Sequence, residues 1–188
     1  MNGPEVCMVG CWILFVLYWS VSAFSVKRAA DRQPWIGILA HRAPTLSGYV
    51  LLFWPKPPYP LSLRLTSGNA LPAFIGAGLC CVGLLTAIWA RKILGRNWSS
   101  TVLFKEEHEL IEKGPYRFVR HPIYTGILAM SFGSALVVGR LGAWVGVLLV
   151  LGGFWIKLRQ EERLLTRYFP TQYPGYITRV KALIPFVL

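Results

Sequence analysis

Acidic side chains are scarce in this chain: eight Asp and Glu stand against twenty Lys and Arg, a net charge of +12. Charged residues of either sign reach only 15%, against roughly a quarter in soluble domains. Hydrophobic residues make up 54% and the mean hydropathy is +0.47. That balance excludes an ordinary soluble domain and indicates a membrane protein, with residues 1–188 as a single domain. The positive charge alone suggests nucleic acid. The basic residues, however, sit at the ends of apolar runs, where they read as topology signals and headgroup contacts. No nucleic-acid partner is expected.

Other absences narrow the class further. Cys7 and Cys11 lie in one apolar run and adjacent Cys80 and Cys81 in another, without a CxxC pair. His41, His108 and His121 are scattered, so buried thiols are expected and no metal site or disulfide framework. The first apolar run has no basic region ahead of it, and the KRAADR cluster follows it instead. It therefore reads as an uncleaved helix rather than a secretory signal. Repeats and low-complexity segments are absent, and the only linker-like stretch is the proline cluster from Pro55 to Pro60.

What is present is a series of apolar runs. The first extends from about Val6 to Val26, long enough to span a bilayer. A second segment is expected near Ala43 to Leu63, short, tilted or broken, because His41 and Arg42 interrupt the pattern upstream and PKPPYP ends it. Leu71 to Ala90 is a third span, rich in Gly and Ala that permit close helix approach. The fourth runs from near Ile123 to about Val138. Gly139-Arg140 is a two-residue polar break, so the fifth, Leu141 to Ile156, should return as a tight antiparallel hairpin. With the amino terminus outside, seventeen of the twenty basic residues face inward, and only Lys56, Arg64 and Arg140 face out. That asymmetry supports five spans.

Two polar stretches border these runs, GPYRFVRHPIYTG at Gly114–Gly126 and KLRQEERLLTRYFPTQYPGY at Lys157–Tyr176. Pro115 and Pro122 push Gly114 and His121 towards extended geometry, so the fourth helix should begin near Pro122. Free N–H groups at such a start accept anions, with His121 beside them and Tyr116 and Tyr124 adding hydroxyls and ring faces. In the second stretch Lys157 and Glu161 share a helix face. Glu161 and Glu162 are the only acidic residues after Glu112, and among four basic neighbours both are expected ionised. Two readings stay open on these residues alone: a solvated, salt-bridged helix end with an aromatic belt, or two halves of one active site. Arg120 anchors headgroups, pairs with Glu161 or Glu162, or touches ligand. Trp98, Phe169 and Tyr173 read as packing or interfacial residues, and His41 as a satisfied polar group.

The order LGRNWS, HELIEKGPYRFVRHPIYTG, EERLLTRYFPTQYPGYITRVKALIP, from about Leu94 to Phe186, resembles the isoprenylcysteine carboxyl methyltransferase family and its phospholipid methyltransferase relatives. The resemblance implies an all-α integral membrane enzyme of about five transmembrane helices. Its cytoplasmic cofactor pocket would be formed by the loop before the fourth helix and the extension of the fifth. The implied cofactor is S-adenosylmethionine, bound without a glycine-rich dinucleotide fold. Its contacts carry over onto His108, Glu109, Leu110, Ile111, Tyr116, His121, Pro122, Ile123, Tyr124 and Glu161. Position 101 is Thr101 where some relatives have glutamine. Lys157 stands where prenylcysteine methyltransferases place an arginine facing the acceptor carboxylate, which keeps the charge and loses the bidentate fork. Catalytic roles therefore fall to Lys157 and Glu161, with Lys157 also binding substrate.

The implied partners are the bilayer and a lipophilic small-molecule or prenylated acceptor, with no metal. Carboxyl O-methylation is the favoured reaction. Phospholipid N-methylation, small-thiol S-methylation, a sterol-reductase-like NADPH enzyme and a non-enzymatic anionic-lipid binder are the alternatives. A short loop between spans four and five and the small size suit a bacterial inner membrane, or the endoplasmic reticulum in a eukaryote.

Overall fold

The first helix begins ahead of its apolar core. In the computed structural model, which describes residues 2–23, 35–66, 70–95 and 110–185, α1 covers Gly3–Ala23. The Glu5 N–H donates to Asn2 Oδ1 at 3.1 Å and the Asn2 N–H to Glu5 Oε2 at 3.2 Å. This reciprocal capping box satisfies two donors that a helix start leaves over. The expected end at Val26 lies outside the described residues.

Helix α2 covers Trp35–Phe53, which corrects the segment expected near Ala43 to Leu63. His41, Arg42 and Pro44 lie inside it. The buried His41 ring places Nδ1 2.9 Å from the Gly37 carbonyl one turn back, so the imidazole is satisfied by its own helix. The proline cluster is not a free linker either. The Leu141 N–H donates to the Leu63 carbonyl at 2.9 Å and the Gly142 N–H to Leu61 at 2.9 Å, docking this loop on the start of α5.

Helix α3 covers Leu71–Leu94, α4 Pro122–Val138, α5 Leu141–Tyr168 and α6 Tyr173–Arg179. The expected hairpin between α4 and α5 is present. Gly139 takes φ 67° and donates to the Ala135 carbonyl at 2.8 Å, a left-handed cap that glycine adopts without steric cost. Helix α5 continues without a break from its apolar run into the charged stretch. Helices α1, α2, α3 and α5 are long and apolar enough to cross a membrane, while α4 is apolar but shorter, at 17 residues. Four of the five expected spans meet that length, and α4 sits near the lower limit of about 17 residues.

Glycine sets the packing. Gly76 faces Gly133 and Gly83 faces Gly126, so α3 and α4 run antiparallel with their backbones touching. A Cβ on Gly126 would lie 2.5 Å from the Gly83 carbonyl oxygen, and one on Gly48 of α2 would lie 2.6 Å from that of Gly146 in α5. Lipid supplies little hydrophobic drive between helices, and close packing of small residues replaces it. The two pairs bring the end of α3, the start of α4, the start of α2 and the extension of α5 to one end of the bundle. Arg64 and Arg140 meet by a backbone bridge at the other.

Candidate active site at the junction of α4 and α5

The approach to α4 is built on two prolines. Pro115 opens a 3₁₀ turn over Gly114–Arg117, and the Phe118 N–H closes it onto the Pro115 carbonyl at 3.1 Å. Gly114 was expected in extended geometry and instead takes φ 63°, a value open to glycine, while Ile93 packs beside it. His121 avoids the helical region ahead of Pro122, as expected, with φ −124° and ψ 59°. The carboxyl-terminal stretch straps this approach. The Arg120 N–H donates to the Lys181 carbonyl at 2.8 Å, the His121 N–H to Ala182 at 3.0 Å and the Thr125 hydroxyl to Leu183 at 2.7 Å. The Tyr176 hydroxyl donates to the Tyr116 carbonyl at 2.5 Å.

So held, His121 is buried with its ring parallel to Tyr124, at 5.6 Å between centres. Tyr124 stacks in turn on Phe154 of α5 at 4.9 Å. The two glutamates of α5 take different partners. Glu161 Oε1 accepts from the Tyr124 hydroxyl at 2.5 Å and lies 3.9 Å from Lys157 Nζ, while Oε2 is 3.6 Å from His121 Nδ1. Glu162 Oε1 accepts from Arg120 Nε at 2.8 Å and from its second terminal nitrogen at 2.5 Å, with His121 Nε2 at 3.4 Å. Arg120 also donates to the Val180 and Ile177 carbonyls, so one guanidinium ties α5 to the strap. His121 bridges both carboxylates.

Burial pushes the Glu162 carboxyl up, but hydrogen bonds from His121 and Arg120, with their charges, outweigh it and hold it below its usual value. Tyr116 and Tyr176 are both raised, first by burial and then by a nearby carboxylate, Glu161 for the former and Glu112 for the latter.

The expected site residues are thus largely gathered. Tyr116, His121, Tyr124, Lys157 and Glu161 converge on this junction. Pro122 and Ile123 are buried in the core beside it, and Ile111 packs against that core. Leu110 is half-buried at the edge of the described residues. His108, Glu109 and Thr101 lie outside the described residues. Sequence reading missed the fixed role of Glu162, for which two adjacent glutamates gave no basis of choice. It also counted Arg91 only as a topology charge. Arg91 is buried, donating to the Gly95 carbonyl at 2.6 Å and to Ser22 at 3.0 Å, and so joins the ends of α1 and α3. Tyr173, read as packing or interfacial, is fully buried.

A bundle of membrane-length helices that closes an acidic pair, a histidine and stacked aromatics into one end defines a helical membrane protein with a polar site at the ends of its spans. Comparisons with known proteins sharpen this. The model of the isoprenylcysteine carboxyl methyltransferase family matches residues 76–167. A probable protein-S-isoprenylcysteine O-methyltransferase of Oryza sativa subsp. indica is 28% identical over 118 residues, 61% of this chain and 62% of that protein. Protein-S-isoprenylcysteine O-methyltransferase A of Arabidopsis thaliana is 33% identical over 96 residues, 50% of this chain and 49% of that protein. The Saccharomyces cerevisiae protein-S-isoprenylcysteine O-methyltransferase is 31% identical over 116 residues, 60% and 48% of the two chains. The solved structure of the eukaryotic intramembrane Ras methyltransferase, an isoprenylcysteine carboxyl methyltransferase, superposes with a TM-score of 0.55 at 21% identity, covering 84% of this chain and 55% of that one. That likeness shows a shared fold. The chain is thus similar to the isoprenylcysteine carboxyl methyltransferase family over residues 76–167, just under half of its length. The matched segments span about half to three-fifths of these relatives' length.

Proposed function

We propose that this chain is an S-adenosylmethionine-dependent methyltransferase that esterifies the carboxylate of an isoprenylcysteine-like acceptor. The observation that carries the reading is Glu161, whose carboxylate meets Tyr124, His121 and Lys157 where the two polar stretches join. Relatives named for this activity support it.

The residues fit the cofactor's chemistry. Its ammonium and hydroxyl groups need an acceptor, and the Glu161 side chain keeps 21% of its surface open. Its sulfonium suits an aromatic face, and the Tyr124 ring already receives a cation, Lys157 Nζ, 5.3 Å from its centre. When bound, the cofactor supplies an electrophilic methyl group. Glu161 would hold it, with Tyr116, Tyr124 and His121 shaping the pocket, while Tyr124 and His121 fix the carboxylate. Lys157 would hold the acceptor carboxylate close to the same place. That carboxylate is nucleophilic at neutral pH, so orientation and exclusion of water, rather than a general base, are what this chain contributes. An amine acceptor would need to lose a proton beside Lys157, which favours oxygen over phosphatidylethanolamine. The distribution of basic residues supports a cytoplasmic site, and a prenyl tail would reach it laterally through the bilayer.

The experiment is methyl transfer by the purified protein in lipid nanodiscs, with label in the cofactor's methyl group. A prenylcysteine analogue, phosphatidylethanolamine and a small thiol are offered together. Base-labile label on the prenylcysteine carboxyl is expected. Label confined to the phospholipid or the thiol would overturn the acceptor class.

A further inference from the structure

The strap and the approach to α4 meet in a seam whose exposed side takes no part in the contacts around Glu161. Arg117, Phe118, Arg179 and Lys181 are all exposed there and line one cavity of about 230 Å³. Its walls are tied through the backbone. Val119 pairs with Lys181 in a parallel bridge, and the Arg120 N–H donates to the Lys181 carbonyl at 2.8 Å. Arg179 also meets the Glu112 carboxylate at 2.9 Å. Three cations against one carboxylate leave positive charge in excess, and like charges so grouped repel one another until an anion enters.

Position and apolar surroundings select the anion. Phe118 stands just ahead of Pro122, where α4 and its apolar run begin, and so lies at the level of lipid headgroups. Its ring is 59% exposed, and Ile184, a few residues beyond Lys181 on the strap, is 51% exposed. Exposed apolar side chains beside clustered cations are the pattern of a surface that inserts at the headgroup boundary. A soluble anion would gain nothing from them. The arginines suit a phosphate, whose oxygens match the planar guanidinium in paired N–H bonds. A phosphate that carries acyl chains satisfies both the cationic and the aromatic lining.

We propose that this cavity binds the phosphate headgroup of one anionic phospholipid. Held between Arg117 on the approach to α4 and Arg179 and Lys181 behind it, the phosphate bridges the seam whose backbone bonds fix His121. The sequence did not set these residues apart from ordinary topology charges, because Arg117 and Lys181 lie far apart in the chain and meet only across the seam. The site uses none of the side chains that meet at Glu161.

The test is native mass spectrometry of the full-length protein in a neutral detergent, titrated separately with phosphatidylglycerol, phosphatidylcholine and inorganic phosphate. Variants Arg117→Gln, Lys181→Gln, their double, and Phe118→Ser run alongside, each checked for an unchanged thermal transition without lipid. Arg163→Gln with Arg167→Gln removes the same charge elsewhere on this end of the molecule. One phosphatidylglycerol is expected to bind at least tenfold more tightly than phosphatidylcholine. Each single charge variant should weaken it about fivefold and the double about twentyfold. Phe118→Ser should weaken the lipid and leave inorganic phosphate unchanged, and the Arg163 and Arg167 control should shift lipid affinity less than twofold. Should the double variant unfold, the two single variants carry the test. Any of three results overturns the site: equal retention of the two lipids, equal loss in the control, or inorganic phosphate binding as tightly as phosphatidylglycerol.

Discussion

The Tyr124 hydroxyl donates to Glu161 Oε1 at 2.5 Å, linking the first turn of α4 to the charged extension of α5. This contact joins the two polar stretches that the chain separates by a complete helical hairpin. It holds the carboxylate at the end of an aromatic stack, Tyr124 on Phe154, rather than free in solvent.

If Glu161 binds the methyl donor, Glu161→Gln should lower methyl transfer by at least two orders of magnitude. Tyr124→Phe keeps the ring and loses one charge-assisted hydrogen bond, worth about 1.5–3 kcal/mol, so a fall of about ten- to a hundredfold is expected. Lys157→Met should raise the KM for the prenylcysteine acceptor and leave cofactor affinity within a few-fold. Initial rates against each substrate separate these effects.

The pair of Arg120 and Glu162 should govern stability. Their side chains are 9% and 13% exposed, and removing one partner of such a pair strands a buried charge, at a cost of about 3 kcal/mol. Arg120→Ala should lower the thermal transition in detergent clearly, and Arg120→Ala with Glu162→Gln should recover part of the loss. A double-mutant cycle measures the coupling.

Glu162 also sets an acid limit. Its native pKa lies below the ordinary 4.5, so on acidification the unfolded chain takes up the proton first. Its contribution is complete above about pH 4.5 and is lost as pH falls through the lower native value. Thermal transitions measured from pH 7 to pH 3 should fall on the acid side in the wild type and fall less steeply in Glu162→Gln.

Two alanine substitutions on glycines should behave oppositely. Gly126→Ala places a methyl 2.5 Å from the Gly83 carbonyl and should destabilise by about 1–3 kcal/mol. Nothing lies within 4 Å of a Cβ at Gly78, so Gly78→Ala should be neutral or slightly stabilising through helix propensity. Thermal unfolding of both variants in one detergent is the measure.

Much of the fold was legible because lipid imposes long apolar runs and glycine marks close contacts. Leu71, Pro122, Gly139 and Leu141 mark real boundaries for that reason. The second span was misplaced because His41 and Arg42 look like an interruption. Once the segment is helical, His41 finds its acceptor one turn back, on the Gly37 carbonyl, so neither residue has to end the span. The site was legible in outline, since RHPIY and EE carry unusual polarity at helix ends. Which glutamate takes which partner depends on the rotation of α5 against α4, and no local signal encodes that.

The central claim is that the junction of α4 and α5 binds the methyl donor through Glu161. Isothermal titration of the purified protein with S-adenosylhomocysteine tests it most directly. Saturable binding of one equivalent is predicted for the wild type, with at least a tenfold loss in Glu161→Gln at an unchanged thermal transition. Unaltered affinity in that variant, or no binding by folded wild-type protein, would contradict the account.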